Sequence, residues 1–348
     1  MLGYTNEPNG AYTDHPVIIF DDFTTASKYV DFDFKAKSSA MKMLTARAGA
    51  ADLRFVYERM QLIRYPIFDH KRRWIAEFSK LEIEAPELVE QTAIAEVAND
   101  LADHVAALER LIAKKQAIKQ GMMQQLLTGR TRLPGFTGEW ADIRLGDHVS
   151  YVKTVALSRA QLDTKSPLKY LHYGDIHTRS SVILDSASEE MPRASAKLAA
   201  RAGLLQCGDL VFADASEDPA GVGKSVEIVS TPNTGVVPGL HTIAARFDKS
   251  VLADGFKAYL QFIPSFRDQL LRLAAGTKVL ATTRSYISSI TLTLPGVAEQ
   301  KAIAEALHDS EREIEALRVR LSKAQSIKTG MMQQLLTGRS RLPVEAAS

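Results

Sequence analysis

The sequence predicts an α+β protein. Two strand-rich domains, the first incomplete, are separated and joined by two long helices forming an antiparallel coiled coil. Three observations lead there. One phrase is spelt twice, "GMMQQLLTGRTRLP" at 121–134 and "GMMQQLLTGRSRLP" at 330–343. Each copy follows an apolar stripe at heptad spacing. The 160 residues between the copies, 135–294, have a different, alternating texture.

Residues 1–85 form the partial domain, with "PVIIFDDF" and "KYVDFDF" as strands and "ADLRFVYERMQLIRY" as a helix. A basic-aromatic run, "HKRRWIAEFSKLEIEAP", follows. Residues 86–134 and 295–343 are the repeated helical regions. At an offset of 209 they share 27 of 49 aligned residues, so the repeat is a whole structural unit. Ile94, Ala98, Leu101, Val105, Leu108 and Ile112 are spaced 4, 3, 4, 3, 4. Ile303, Leu307, Ser310, Ile314, Leu317 and Leu321 take the same places in the second copy. Both segments are therefore long helices with one apolar seam, and each is the other's nearest available partner.

Gly129 and Gly338 stand where each helix should stop. Lys114, Lys115, Lys119, Lys323 and Lys328 lie just upstream. They suit the negative end of a helix dipole, or alternatively a phosphate or partner contact. The dipole does not require the near-identity of "GMMQQLLTGR", and the pairs Met122/Met123 and Met331/Met332 read as a partner-docking surface. The middle domain, 135–294, holds the strands "LVFA", "VEIVS" and "HTIAARF", with "FKAYLQFIPSFRDQLLRL" as an amphipathic helix and "TTRSYISSITLTLP" as a basic-aromatic turn. Residues 344–348 are a tail.

Composition narrows the function. The chain has 348 residues, 45% hydrophobic and 24% charged, which suits a soluble protein of about two domains. One cysteine, Cys207, excludes a disulfide framework or a cysteine zinc site and fits the cytoplasm. No 18-residue apolar run and no signal-like start are present, so no membrane is expected. "GVGKS" has Asp218 where a nucleotide-binding loop needs its first glycine. An "N/D-P-P-Y/F" methyltransferase turn and a glycine-rich cofactor loop are absent from the sequence. No catalytic residue, metal site or bound cofactor is expected of this chain. The acids Asp209, Asp214, Glu217 and Asp218 read as a solvated loop, and His172 and His177 as packing or DNA contacts.

With this layout the chain resembles the specificity subunits of type I restriction-modification systems, which alternate two target-recognition domains with two conserved helical regions. The resemblance spans the chain. It rests on "GMMQQLLTGR", "KYLHYGDIHTR" (169–179), "CGDLVFADASEDPAGVGKSVEI" (207–228), "GLHTIAARF" (239–247), "GTKV" (276–279) and "HPVIIFDDFTTASKYVDFDFKAKSSAMKML" (15–44). It implies a non-catalytic subunit whose two domains each read half of a split double-stranded DNA target, with the helices as the ruler between them. It also implies two modification (methyltransferase) subunits on the helical regions and a restriction motor-nuclease subunit beyond them. S-adenosylmethionine, ATP and Mg would be held by those partners. Family members usually carry both recognition domains complete. The shortened first domain fits an upstream start, a truncation or a rearranged gene fragment. A shortened chain suggests two alternatives, a homodimer that pairs through its helices to read a palindromic target, and a competitor that sequesters the modification subunit.

Residues 135–294 carry 17 Lys/Arg against 16 Asp/Glu, so DNA binding requires these to segregate onto different faces. The candidates for DNA contact are Tyr151, Lys153, Lys165, His177, Arg179, Lys224, His241, Lys278, Arg284 and Tyr286. Lys278, beside a glycine, is preferred for a phosphate. In the first domain, Lys71, Arg72 and Arg73, between His70 and Trp74, form the densest basic run.

Overall fold

The computed structural model describes all residues except 1–4, 8, 37, 39, 64–77, 217, 275–279 and 344–348. The chain forms two compact units, Met1–Ala113 with Glu315–Ser348, and Lys114–Ile314.

In the first unit, β1 (Val17–Asp21) is the centre of an antiparallel sheet, between β2 (Ser27–Val30) and β3 (Met41–Leu44). Burial of Val17, Ile18 and Phe20 selects β1 as the central strand. Strand β3, "MKML", was not expected from the sequence. It is an edge strand with exposed and half-buried side chains in alternation, so it carries little apolar signal. Helix α1 (Leu53–Gln61) starts at Asp52, whose carboxylate accepts from the Arg54 and Phe55 amides. Helix α2 (Leu88–Leu126) gives residues 88–113 to this unit and 114–126 to the second.

The second unit continues with β4 (Ala141–Arg144), β5 (Val149–Val152), β6 (Lys169–Leu171), α3 (Tyr173–His177) and β7 (Ile183–Asp185). Next come β8 (Leu210–Ala213), β9 (Ala215–Ser216), β10 (Ser225–Ser230), β11 (Val236–Pro238) and β12 (Thr242–Phe247). The run closes with α4 (Pro264–Ala274), β13 (Leu280–Ala281), α5 (Arg284–Ser289), β14 (Thr291–Leu294) and α6 (Val297–Leu336). A five-stranded sheet, ordered β5-β12-β8-β10-β7, is its centre, and three two-stranded pairs surround it.

Two expectations need correction. The stretch "FKAYLQFIPSFRDQLLRL" is not one helix: Lys257–Phe262 is a 3-10 turn, and α4 starts afresh at Pro264. Proline lacks the amide that a continuing helix needs and pushes the residue before it, Ile263, into extended backbone. The basic-aromatic "turn" at 283–289 is helical, because the Thr283 side chain caps it by accepting from the Tyr286 amide.

The repeated phrase has the same structural job in both units. In the second unit, Leu126 and Leu127, with Met123 beside them, pack in one core with Ile303 and Leu307 of α6, and Arg132 grips the buried Glu299 through two hydrogen bonds. In the first unit, Met332, Leu335 and Leu336 pack in one core with Ile94 and Ala98 of α2, and Arg341 grips the buried Glu90. Each phrase thus closes onto the opening of the other copy, antiparallel. The following glutamines also match: Gln91 donates to the Pro86 carbonyl and Gln300 to the Pro295 carbonyl, both at 2.8 Å. Gly129 (φ 69°) and Gly338 (φ 68°) end the helices in the left-handed conformation that glycine adopts without a Cβ penalty. Among the seam residues, Ile94, Leu108, Ile112, Ile303, Leu307, Ile314 and Leu317 are buried, while Leu101, Val105 and Leu321 are half-buried. Lys115 and Lys119 pair with Glu313 and Glu311 on α6, so their main partner is the facing helix rather than the dipole of their own.

Beneath the sheet, Glu227 of β10 is 1% exposed and accepts from the Gly255 and Ala258 amides at 2.7 and 2.9 Å. Burial pushes its carboxyl up to about 7, against the pull of the buried Lys257 ammonium 3.8 Å away. A folded-state value above the ordinary 4.5 favours the protonated acid. That contribution is complete below pH about 4.5 and is lost as pH rises through about 7, at up to about 3 kcal/mol. Chemical unfolding between pH 5 and 8 should therefore show stability declining with pH, and Glu227→Gln should flatten that decline. An identical slope in the variant would mean that the carboxylate stays ionised throughout.

Candidate nucleic-acid interface

One rim of the five-stranded sheet gathers polar and cationic side chains because three strands meet the solvent there together. The registers pair Phe212 with Ser225 and Ala213 with Thr242, so β8 ends where β10 and β12 begin. The loops 214–224 and 239–241 therefore leave the same edge. Helix α3 closes over it, with His177 Nε2 2.8 Å from the Ala215 carbonyl and the Lys224 ammonium donating to the His177 carbonyl. On the other flank of β8, His241 Nδ1 lies 3.1 Å from Asp214 Oδ1. The Tyr173 ring meets the edges of His177 and His241 at centroid distances of 6.0 and 5.3 Å.

The chain returns to this rim at 280–284. Strand β13 pairs with β9, and the Thr282 amide donates to the Asp214 carbonyl at 2.7 Å. Arg284 then lies over the Tyr151 ring, whose hydroxyl donates to the Arg284 carbonyl and sits 2.8 Å from Ser288 Oγ. Burial raises the Tyr151 pKa, so this phenol stays neutral. An open cleft of about 400 Å³ at the rim is lined by His177, Arg179, Lys224, Arg267, Asp218 and Gly221, among others.

The sequence candidates separate into groups. His177, Arg179, Lys224, His241, Arg284 and Tyr151 converge on the rim. Lys153 and Lys165 are exposed, the latter in a turn where its amide bonds to Asp163. Tyr286 is half-buried against the core. Arg179 is not a free cation, since Glu189 holds its guanidinium. Lys71, Arg72, Arg73 and Lys278 lie outside the described residues.

The acidic loop is not uniformly solvated. Asp209 is 1% exposed and grips Arg246 through two bonds of 2.7 Å, because it immediately precedes β8, whose Leu210 pairs with Ala245 of β12. Asp214 is taken up by His241, and Asp218 caps the Gly221 amide at 2.7 Å. Glu217 lies outside the described residues. Arg267 and Tyr173 belong to the rim but escaped sequence reading. Arg267 follows the buried Phe266 on α4 and reads there as an ordinary solvated residue. Among the described residues, no cluster of histidine, cysteine and acidic side chains could hold a metal, and no helix is long and apolar enough to cross a membrane.

The methionine pairs divide. Met332 is buried in the first unit's core, while Met122 and Met123 are both half-buried against the second unit's core, so all three take part in the intramolecular clasp. Met331 is 39% exposed, and so, at 45% each, are its helical neighbour Ile327 and the repeat-equivalent Ile118. Between each isoleucine and methionine stands a glycine, Gly121 or Gly330, where an added Cβ would meet nothing within 4 Å. A mid-helix glycine costs about 1 kcal/mol relative to alanine. Nothing inside either unit explains its presence in both copies.

No family model matches the chain. Over 91 residues, 25% of this chain and 22% of the relative, it is 52% identical to the Escherichia coli type I restriction enzyme EcoR124I/EcoR124II specificity subunit. Over 282 residues, 76% of this chain and 63% of the relative, it is 24% identical to the MjaVIII specificity subunit of Methanocaldococcus jannaschii. The chain thus spans less than two thirds of the length of either relative. Its fold matches the crystal structure of the type I restriction-modification S subunit from M. genitalium with a TM-score of 0.59, covering 96% of this chain and 85% of that one at 13% identity. A second structure, from work on complex assembly and conformational transition of the type I system, matches with a TM-score of 0.54 over 95% of this chain and 84% of that one at 16% identity. Sequence likeness to the two relatives and likeness of fold over nearly the whole chain point the same way: the chain is similar to the specificity subunits of type I restriction-modification systems.

Proposed function

We propose that this chain is the non-catalytic DNA-recognition subunit of a cytoplasmic type I restriction-modification complex. The observation that carries this is the single rim where Lys224, Arg284, His177 and His241 converge on the sheet. Cations at such an edge can hold phosphates, while rings and the Arg guanidinium can meet base edges in a groove. The paired helices form the ruler between two half-sites, and S-adenosylmethionine, ATP and Mg are supplied by the partner subunits. The Ile118-Gly121-Met122 and Ile327-Gly330-Met331 notches support two docking places for one kind of partner, the modification subunit, with the restriction subunit joining through it.

The test is to express the chain with its cognate modification subunit in a methylation-free host and map methylated adenines. A split motif with two distinct halves is the expected result. A palindromic motif would favour a homodimer, and an unmethylated genome would defeat the recognition reading. In the purified complex, Lys224→Ala should lower affinity for all sequences alike and reduce the salt slope by about 1, as for loss of one phosphate contact.

A further inference from the structure

His241 is held in a way that a solvated surface residue does not require. Its φ is 55°, in the left-handed region that only a few per cent of non-glycine residues adopt, asparagine, aspartate and histidine more readily than the rest. The backbone around it is pinned on three sides. Its carbonyl accepts from the Asp214 amide at 3.1 Å, Leu240's amide donates to the Tyr170 hydroxyl at 2.7 Å, and Thr242 Oγ1 donates to the Gly239 carbonyl at 2.7 Å. The ring is fixed as well, by Asp214 at Nδ1 and by the Tyr173 edge. Yet the side chain remains 51% exposed. Backbone strain kept beside a fixed but open ring is a mark of a functional position.

We propose that His241 reads a base edge rather than a phosphate in the half-site bound by residues 135–294. This rests on the DNA-recognition reading above. An ionised carboxylate only accepts hydrogen bonds, so Asp214 places the imidazole proton on Nδ1. In the neutral ring, Nε2 then carries a lone pair, and no other described residue bonds to it. Such an acceptor matches an exocyclic amine in the major groove, adenine N6 or cytosine N4. A phosphate would repel that lone pair. The neighbouring Lys224 suits the phosphate and leaves the base edge to the histidine. Asp214 is accordingly a positioning residue that acts through the ring.

The experiment uses the complex with the modification subunit. The wild-type methylome defines the motif, and competition binding then measures each single base-pair substitution in the half-site. His241→Gly and His241→Asn both tolerate the left-handed backbone, so a purely structural role would survive in them. The expected result is that both variants lose about 10- to 100-fold discrimination at one adenine- or cytosine-bearing position, with non-specific binding and thermal midpoint unchanged or, for glycine, raised. Asp214→Asn should blunt discrimination at the same position. A wild-type split motif with full discrimination retained in both His241 variants would overturn the assignment alone. A wild-type complex that recognises no motif would overturn it together with the functional reading.

Discussion

Aspartates placed together at Leu108 and Leu317 are expected to abolish the cooperative unfolding of the first unit. Both leucines are in that unit, 5% and 6% exposed, at equivalent positions of the two copies. Each substitution forfeits about 1.5–3 kcal/mol of apolar burial. Each also leaves a carboxylate where ionisation costs several kcal/mol more. Together these approach the whole stability of an ordinary domain, about 5–15 kcal/mol. Calorimetry should lose one transition, and the complex with the modification subunit should tolerate altered spacing between half-sites. An unchanged melting profile would show that the seam does not hold the unit together.

The second large effect concerns assembly. Gly121→Leu with Gly330→Leu should stabilise the isolated chain, by up to about 1 kcal/mol per helix site, since leucine is the better helix former and each Cβ meets open space. The same pair should abolish association with the modification subunit, because the added side chains fill both notches. Each single variant should retain one of two partners. Native mass spectrometry reads the stoichiometry directly, and full binding by the double variant would remove the glycine notches from the interface.

Much of the fold was legible because its signals are local. A spacing of 4, 3, 4, 3, 4 defines one helix face whatever lies opposite, and the glycine after "LLT" stops a helix through its own backbone freedom. The strands "LVFA", "VEIVS" and "HTIAARF" were likewise readable from alternation and β-branched content. The short edge strand "MKML" was not, since half of its residues face solvent. Proline at 264 breaks an apparently continuous helical pattern for a reason equally present in the sequence, because its effect on the backbone outweighs the hydrophobic period.

The candidate site was legible as a set of residue types and hidden as an arrangement. His177, Lys224 and His241 are scattered over 65 positions of sequence, from 177 to 241, and strand register alone brings them to one rim. Asp209 and Asp214 are near neighbours in one acidic stretch. Yet one is buried against Arg246 and the other fixes a histidine ring.

By itself the sequence determined the repeat, the two seamed helices, the strand-rich middle domain and the family resemblance. These follow from periodicity, turn chemistry and motif, which act over a few residues or recur at a fixed offset. Only the tertiary structure decided that each phrase clasps the other copy's opening, through Arg132 on Glu299 and Arg341 on Glu90. It also decided which cations are already paired, and that His241 is held left-handed and open. Contacts between residues 167 or 251 positions apart depend on which faces pack together, and no local period carries that information.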